Sequence, residues 1–582
     1  MKKFTGTAVL LAALLVALGA LSGAATGKPD AGGPKLPPPV TIQILNVSDW
    51  HGNLDPFGSP ALGGAWNISA RWQQDRAAFP TLTLTAGDDF GATPPLSSFF
   101  NEEPSVKAQR LMGIQVGALG NHNFDRGVGH LQQMINLAGA ESSSSAPGQP
   151  FSYVSANLKN LDGNLTGVEP MKFFKVGGLK VAVIGITNEE APSVVLPGSF
   201  GTVEVTDGIA AANKYARHAR QAQADVVLVI THKGIRSMVD GVPAGELIDF
   251  ANGLEPGLVD VVFGDHTDVQ FSGTINGVLV HENRSFGGTY AKTILNVQPG
   301  RGNADGFMIS KSVSFVTPTP PTPGLQNGNT ACPAAPTFCD QAIVDMLVPY
   351  RQQLAALLDG QVGTSAGIFV RGGNIERRQE IPLGDLMADG MRWRYGTQLG
   401  FMNSGGIRMP MPSCSYAPVN TALKRPCSGY AAGTPYDLVL GDIFAVLPFG
   451  NILNTRTVTG AQLWAALENG VSRIAADGTG VDGRFPQISG FKFTFHYLNA
   501  VGSRVTSVQL SDGTPIPNSA SATYTMTLPN FVNLGGDGYT VFADGQGATQ
   551  ELDAVVMKEY MAFAGPSFDP ASFPLDRITK LP

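Results

Sequence analysis

Cysteine is scarce in this sequence, with four residues among 582. They stand in the chain as two pairs, Cys332 with Cys339 and Cys414 with Cys427. Neither pair has the C-x-x-C spacing of a zinc or redox motif, so the sequence excludes motifs of that type. In an exported protein each pair can close a short loop, and we expect two local disulfides rather than free thiols.

The chain also lacks an excess of positive charge, because 39 Lys and Arg stand against 46 Asp and Glu, a net charge of −7. That balance gives no electrostatic footprint for a nucleic-acid polymer, so any phosphate ligand should be small and held at a local site. Hydrophobic residues make up 43% and charged residues 15%, as in globular rather than disordered proteins. At 582 residues the chain exceeds what one core usually organises, and we expect two domains.

The N-terminus has the pattern of a secretory signal over residues 1–25. Lys2 and Lys3 precede an apolar run at 8–21, and small residues follow at 22–25. The run is too short to span a bilayer comfortably, and no charged stop-transfer flank follows it. No cysteine lies near the expected cleavage point, and the last residues form no apolar tail. We therefore expect an exported protein, periplasmic or secreted, without a stable membrane anchor; an uncleaved anchor helix is the alternative.

After a flexible tether at 26–40, short apolar runs alternate with helix-like segments, which predicts an α/β domain over 41–316. A linker is expected at 317–360, where a Pro- and Thr-rich stretch precedes apolar residues at helical spacing over 341–358. Residues 361–582 mix helical and strand patterns and form the second predicted domain. The apolar runs of the first domain are typical of buried strands and lie at 42–47, 82–85, 116–119, 181–186, 226–230 and 259–263.

Five of these runs end in residues of the kinds that bind metals. They lead into Asp49-Trp50-His51, Gly87-Asp88, Gly120-Asn121-His122, Thr231-His232 and Gly264-Asp265-His266-Thr267-Asp268. Ligands of α/β sheets bind at the carboxyl ends of the strands, so five such ends would bring these side chains to one rim. The glycines let the backbone turn sharply toward a shared ligand. A lone Asp or His after a strand is usually a turn residue, but this conjunction predicts a two-metal site.

The order of these motifs resembles that of the calcineurin-like metallophosphatases, and within them the 5′-nucleotidase and UDP-sugar hydrolase family. The resemblance implies an N-terminal metallophosphatase sandwich joined by a linker helix to an α+β C-terminal substrate-binding domain. It also implies that Asp88 bridges two divalent metal ions and that His122 and Asp125 form a catalytic dyad beside the phosphate. The ligands of the first metal would be Asp49, His51, Asp88 and Asp268, and those completing the second would be Asn121, His232 and His266.

Such a site suits phosphate-ester hydrolysis. Two cations about 3.5–4 Å apart can hold a hydroxide and polarise a phosphoryl oxygen together. His122, oriented by Asp125, can stabilise the pentavalent phosphorus or protonate the leaving oxygen. Mixed carboxylate and imidazole ligands suit zinc, manganese or iron better than magnesium or calcium alone.

Two positions depart from the family pattern. Trp50 stands where an aliphatic residue is common, which alters packing more than chemistry. Asp268 stands where many relatives carry His or Gln, and the extra carboxylate leaves the identity of the metals open. Asp89 is interpreted as a supporting or capping carboxylate beside Asp88. The histidines outside the motifs are interpreted as surface or packing residues: His130, His218, His281 and His496.

The second half of the chain carries residues suited to a nucleoside. Such a ligand needs aromatic faces for the base, an acidic acceptor for the ribose hydroxyls, and Arg or Asn for polar edges and charge. The chain supplies these types as Phe449, Phe531, Asp537, Arg377, Asn403 and Arg408. Taken alone, a Phe in a Pro-Phe-Gly turn is usually core packing, and Gly-Gly-Asp-Gly is usually a plain loop.

These segments also resemble the substrate domain of the same family. The matching motifs are Asn403-Ser404-Gly405-Gly406-Ile407-Arg408, Leu447-Pro448-Phe449-Gly450, and Asn530-Phe531 followed by Gly535-Gly536-Asp537-Gly538, with Ser404 in place of a glycine. The resemblance implies that Phe449 and Phe531 sandwich the base, that Asp537 binds ribose, and that Arg377, Asn403 and Arg408 contact polar groups of the ligand. It further implies that the C-terminal domain rotates about the connecting helix to carry substrate to the metals.

The resulting hypothesis is an exported 5′-nucleotidase that acts on small-molecule nucleotides. A UDP-sugar or 2′,3′-cyclic-nucleotide hydrolase fits the same residues, since all these substrates present a base and a ribose. The alternative from another class is an exported nucleotide- or metal-binding protein without catalysis. Base preference and oligomeric state stay open at this point.

Overall fold

The computed structural model describes residues 37–57, 60–239, 241–300, 307–320, 332 and 338–582. The predicted signal, most of the predicted tether and part of the predicted linker lie outside the described residues. Within these ranges, no helix combines the length and apolar character needed to cross a bilayer. The division of the chain at 316 and 361 stays a prediction.

Two large sheets, each with parallel strands at its centre, form the N-terminal sandwich, by which we mean the described residues from 37 to 320. The seven-stranded sheet has the order Phe307–Val316, Tyr290–Gln298, Val40–Asn46, Thr81–Thr85, Val116–Ala118, Ser152–Val154 and Val168–Glu169. The six-stranded sheet has the order Phe271–Ile275, Val278–Glu282, Val261–Gly264, Val226–Thr231, Leu179–Ile186 and Met171–Val176. Short ribbons pair Pro56–Phe57 with Leu62–Gly63, Leu158–Lys159 with Glu204–Val205, and Ser237–Val239 with Val242–Ala244.

The sandwich is held together by a core between its two sheets, which includes Ile44 and Val183. Because side chains alternate along a strand, the next residues, Leu45 and Ile184, point to the outer faces. There they pack in separate clusters with helices, which gives four layers in the order helix, sheet, sheet, helix. The helices of this part are Ala65–Arg76, Pro95–Ser98, Glu103–Met112, Gly127–Gly139, Gly208–Gln221 and Glu246–Asn252. The predicted α/β sandwich is confirmed.

The C-terminal half, residues 361–582, combines smaller sheets with helices around two further cores. Its five-stranded sheet has the order Pro486–Ser489, Leu399–Asn403, Thr523–Pro529, Ile452–Thr459 and Ala548–Leu552. Two three-stranded sheets consist of Tyr436–Val439, Gln361–Ser365 and Ser567–Phe568, and of Val505–Leu510, Phe491–His496 and Ile578–Leu581. The helices are Pro382–Tyr395, Leu440–Val446, Gly460–Gly470, Asn530–Asn533 and Asp553–Ala564.

A single helix, Gln341–Leu358, connects the two parts and has the bounds that the sequence predicts. Asp340 caps its N-terminus, because its side chain accepts a hydrogen bond from the Ala342 backbone. Tyr350 of the helix packs edge-to-face on Phe100 at 4.9 Å. The apolar face of the helix belongs to the outer core of the sandwich, so the helix is fixed to the N-terminal part.

Asp55 anchors this helix through a buried ion pair with Arg351. Asp55 Oδ2 accepts from Arg351 Nη1 at 3.0 Å, and a second contact joins Oδ1 to Nη2. We expect Asp55→Ala to lower the free energy of unfolding by about 3 kcal/mol, because it leaves a buried guanidinium without its carboxylate. Urea unfolding would measure the loss. The matched control is Arg217→Ala, which removes an exposed pair with Glu255 and should cost less than about 1 kcal/mol; equal losses would contradict the expectation.

Both predicted disulfides are present, Cys332 with Cys339 and Cys414 with Cys427. All six predicted runs are strands, with ends that differ from the predicted ones by at most two residues. These elements therefore follow from local patterns of burial and turn residues.

Candidate active site

The five predicted metal-binding motifs follow the carboxyl ends of strands in both sheets. Three of them come from the seven-stranded sheet, after the strands Val40–Asn46, Thr81–Thr85 and Val116–Ala118. The other two come from the six-stranded sheet, after Val226–Thr231 and Val261–Gly264. Because the sheets are stacked with these ends on the same side, two sheets rather than one form the predicted rim.

The backbone at this rim is strained. Five predicted ligands have positive φ: Asp49 (50°), His51 (49°), Asp88 (45°), His266 (106°) and Asp268 (56°). Residues with a Cβ seldom adopt this conformation, which costs about 1 kcal/mol or more each, and such residues cluster at functional sites. Gly120 allows the close approach of the loops, since a Cβ there would lie 2.2 Å from Asp88 Oδ1.

Asp88 lies at the centre of the converging side chains. Ligand atoms lie within 4.8 Å of one another in two groups, and Asp88 is common to both. Its Oδ2 lies 2.8 Å from His232 Nε2, which in turn lies 3.1 Å from His266 Nδ1. The groups are His51, Asp88 and His122, and Asp88, His232 and His266. Because Asp88 belongs to both groups, its carboxylate is placed where it could bridge two cations.

The donor atoms fit divalent cations. Asn121 Oδ1 is buried without a hydrogen-bond partner among the described residues, an arrangement that is costly unless a cation satisfies it. Burial by itself raises the pKa of Asp49, but His51 and His232 outweigh it and hold that pKa well below its ordinary value. Asp49 is therefore an anion. Carboxylate, imidazole and amide oxygen donors together suit zinc or manganese.

His122 and Asp125 form a hydrogen-bonded pair beside this cluster. His122 Nδ1 lies 3.0 Å from both carboxylate oxygens of Asp125, and the His122 backbone donates to Asp88 Oδ1 at 2.8 Å. Gly91, with φ of 91°, makes room for the pair, because a Cβ there would lie 2.0 Å from the His122 carbonyl oxygen. The structure thus brings the predicted dyad together, and its catalytic role stays a prediction.

The predicted nucleoside residues lie in the same cavity as this pair. The cavity has a volume of about 170 Å³ and lies between the sandwich and the C-terminal half. Its predicted site residues are Asn121, His122, Asp125 and His266 from the sandwich, and Arg377, Asn403, Arg408, Phe449, Phe531 and Asp537 from the C-terminal half. An adjoining cavity of about 30 Å³ is lined by Asp49, His51, Asp88 and Asp268. His232 lines neither cavity and lies fully buried behind Asp88.

Asp537 is the buried acid of this cavity. Its Oδ2 accepts from Asn403 Nδ2 at 2.8 Å. Burial and the charge of Asp482 raise the pKa of Asp537 to about 7. Gly536 next to it is required by Phe531, because a Cβ at Gly536 would lie 2.3 Å from the phenyl ring.

Arg408 and Phe449 reach across to the sandwich. Arg408 Nη2 lies 3.1 Å from His51 Nε2, and the Phe449 ring stacks on His122 at 5.6 Å. Burial and the neighbouring Arg377 and Arg371 lower the pKa of Arg408 to about 9, which indicates a concentration of positive charge suited to an anion. Phe449 faces His122 here, and its predicted pairing with Phe531 about a base stays a prediction. So does the predicted domain rotation.

Several residues that line the two cavities were not predicted from the sequence. Arg371 is buried, lines the smaller cavity and lies 3.1 Å from Glu376 through its Nε. Its place before Gly372 and Gly373 gives it the same Gly- and Arg-rich surroundings as the predicted residues. The other missed residues include Arg236, Glu190 and Asp482, which belong to no motif.

Asp89 and His281, interpreted from the sequence as a supporting and a packing residue, make contacts of those kinds. Asp89 accepts hydrogen bonds from Tyr153 Oη at 2.5 Å and from Asn123 Nδ2 at 2.8 Å, and burial raises its pKa to about 6. His281 is fully buried, and its ring packs on Phe263 at 4.6 Å.

Comparisons with known proteins find one matching family model and several similar sequences. Residues 361–544 match the family model described as 5′-nucleotidase, C-terminal domain. Over 85% of the chain, the protein is 26% identical to the endonuclease YhcR of Bacillus subtilis, of whose length the chain spans 37%. It is 25% identical to the 5′-nucleotidase of Vibrio cholerae over 90% of this chain and 91% of that protein.

A solved structure resembles the fold over nearly its whole length. The 5′-nucleotidase precursor of Thermus thermophilus superposes with a TM-score of 0.73 and 25% identity, covering 93% of this chain and 99% of that one. The match includes both the sandwich and the C-terminal half. Residues 361–544 therefore form a 5′-nucleotidase C-terminal domain, and the chain as a whole is similar to 5′-nucleotidases in sequence and fold.

Proposed function

We propose that this protein is an exported, metal-dependent 5′-nucleotidase that hydrolyses nucleoside 5′-phosphates to nucleoside and inorganic phosphate. The observation that carries the proposal is the single cavity in which the His122–Asp125 pair meets Phe449, Phe531 and Asp537. The first set suits a phosphate ester and the second suits a nucleoside, so a nucleotide can engage both at once. The signal pattern of residues 1–25 supports export.

The metal part of the proposal rests on the two ligand groups that share Asp88. Two divalent cations such as zinc or manganese would be held by Asp49, His51, Asp88, Asn121, His232, His266 and Asp268. When bound, they supply Lewis-acid chemistry to the phosphoryl group and its attacking water.

The chain's own residues account for charge and proton movement. Arg377 and Arg408 neutralise the phosphate, and their mutual repulsion is relieved by an anion. A water oxygen bonds to phosphorus while the bond from phosphorus to the 5′ oxygen breaks. One proton of that water stays on the phosphate, and the other replaces the proton that His122 gives up. His122, held by Asp125 through Nδ1, donates a proton to that leaving oxygen, so the nucleoside departs neutral.

Phe531 is expected to recognise the base. We predict that Phe531→Ala raises the KM for 5′-AMP about tenfold, because stacking of an aromatic side chain on a base contributes about 1–3 kcal/mol. Hydrolysis of p-nitrophenyl phosphate, which has no nucleoside, should change less than about twofold. Steady-state phosphate release measures both. The control is Phe563→Ala, which truncates an exposed ring outside the cavity; a similar KM increase there would argue against base recognition by Phe531.

Substrate class is tested with a panel of nucleotides. Purified protein with Mn²⁺ or Zn²⁺ would be offered 5′-AMP, UMP, UDP-glucose, 2′,3′-cAMP and p-nitrophenyl phosphate. The proposal predicts that the nucleoside 5′-monophosphates have the highest kcat/KM. Preference for UDP-glucose or the cyclic nucleotide would replace it with the corresponding hydrolase, and binding without turnover would favour a binding protein.

A further inference from the structure

Arg236 joins the two halves of the molecule at the wall of the shared cavity. It belongs to the segment after His232, and its side chain is 18% exposed. Its Nη1 lies 3.1 Å from Asp482 Oδ2 of the C-terminal half. Its Nη2 lies 2.7 Å from Glu246 Oε1 and also contacts Glu190. One largely buried guanidinium therefore holds carboxylates from both halves.

Asp482 in turn begins a segment that supports the predicted nucleoside residues. Its backbone N–H donates to the carbonyl oxygen of Arg377 at 3.4 Å, and the next carbonyl oxygen, of Gly483, accepts from the Gly405 backbone at 2.8 Å. Gly483 also lies against Asp537, because a Cβ on it would be 3.5 Å from Asp537 Oδ2. The position of this segment thus sets the floor of the nucleoside pocket.

A chain of hydrogen bonds makes a second connection from Asp482 to Asp537. Asp482 Oδ1 accepts from Arg484 Nε at 2.9 Å, and Arg484 Nη1 donates to Asn469 Oδ1 at 3.3 Å. Asn469 Nδ2 then donates to the Asp537 carbonyl oxygen at 3.0 Å. A displacement of Asp482 would therefore shift Asp537 in two ways, through the contact with Gly483 and through the hydrogen bonds of Arg484 and Asn469.

On the opposite side, the network reaches the predicted metal ligands. Glu190 Oε1 lies 3.9 Å from His266 Nε2. Without Arg236, the carboxylates of Glu190 and Glu246 would face Asp482 across the interface without the guanidinium that contacts all three. Arg473 would remain beside Glu190 and Arg484 beside Asp482. Because all three carboxylates contact the same guanidinium, they lie close enough to repel one another, most strongly where water is excluded. Arg236 therefore determines how closely the nucleoside pocket approaches the metal side.

We propose that Arg236 is a positioning residue for the nucleotide. By pairing with Asp482 it fixes the nucleoside pocket relative to the phosphate end of the cavity, and it acts through Asp482 rather than on the reacting atoms. The inference rests on the proposed function, because it assumes that a nucleotide occupies both ends of the cavity. A phosphate ester without a nucleoside occupies only the phosphate end of the cavity, so its hydrolysis does not depend on where the nucleoside pocket lies.

The test is Arg236→Met, which keeps an unbranched apolar stem and removes the charged guanidinium. We expect the KM for 5′-AMP to rise about tenfold or more, because the substitution removes one partner of a largely buried ion pair. The kcat/KM for p-nitrophenyl phosphate should change less than about twofold. Arg236→Lys should recover part of the loss. Combining Arg236→Met with Asp482→Asn should add little to the larger single effect, since both changes remove one interaction.

Arg473→Met is the matched control, because Arg473 lies 3.8 Å from Glu190 in the same network but is 45% exposed. It should behave as the wild-type protein does. An unchanged KM in Arg236→Met, or equal losses on both substrates, would overturn the inference. If the wild-type protein hydrolyses neither substrate, the proposed function fails, and calorimetry with 5′-AMP then tests the inference. Binding to Arg236→Met that is about tenfold weaker than to the wild-type protein supports the inference. Equal binding by the two proteins, or no binding by either, refutes it.

Discussion

Replacing His122 with alanine is expected to lower kcat/KM for 5′-AMP by about 10³-fold, the effect of losing a positioned general acid. The expectation follows from the geometry of the pair, in which both oxygens of Asp125 hold His122 Nδ1 at 3.0 Å. With Nδ1 occupied, Nε2 is the ring nitrogen left to serve the leaving oxygen. KM should change much less than kcat, because the proton is transferred in the transition state rather than in binding.

A matched histidine distinguishes this loss from a general effect of the substitution. His218 is exposed on the helix Gly208–Gln221 and lies outside the cavity. His218→Ala should retain wild-type kinetics. If His122→Ala also stays within about threefold of the wild-type rate, the proton does not come from this side chain, and the proposed role of the pair is wrong.

Replacing Asp88 with asparagine should have an effect of at least the same size, about 10³-fold on kcat/KM, together with loss of bound metal. Asp88 is common to both ligand groups, so one substitution weakens both cation sites. Burial by itself raises the pKa of Asp88, but the nearby His232 and His122 outweigh it and leave that pKa far below its ordinary value. A neutral amide therefore removes a full negative charge from the centre of the cluster.

Metal content provides the measurement that activity alone does not. Elemental analysis after gel filtration should find about two divalent ions per wild-type chain and one or none in Asp88→Asn. Asp89→Asn is the control, since Asp89 is bonded to Tyr153 and Asn123 rather than directed at the cluster. Full metal occupancy in Asp88→Asn would show that this carboxylate does not bridge the ions.

Strands and the connecting helix could be predicted because their signals are local. A run such as 226–230 is apolar throughout since both faces of its strand are buried, and 341–358 carries one apolar face. The arrangement of the strands has no such signal. Val40–Asn46 pairs antiparallel with Tyr290–Gln298 from the far end of the sandwich, and nothing near either segment specifies that partner.

The same distinction separates the predicted site residues from the missed ones. The metal-binding side chains follow strand ends directly, so a short window of sequence shows both the strand and the ligand. Arg236 and Asp482 become neighbours only when the two halves pack together, and they lie 246 positions apart. The backbone strain at Asp49 and Asp88 is equally invisible in the sequence, because neither is a residue type that requires positive φ.

Metal-dependent phosphate release from 5′-AMP by the purified protein is the first measurement to make on the proposed function. The protein would be stripped with a chelator, assayed, and assayed again after Mn²⁺ or Zn²⁺ is restored. We expect no turnover by the stripped protein and recovery with the metal, with adenosine and phosphate formed in equal amounts. Adenosine release that is indifferent to metal removal, or no release with two ions demonstrably bound, would contradict the proposed function.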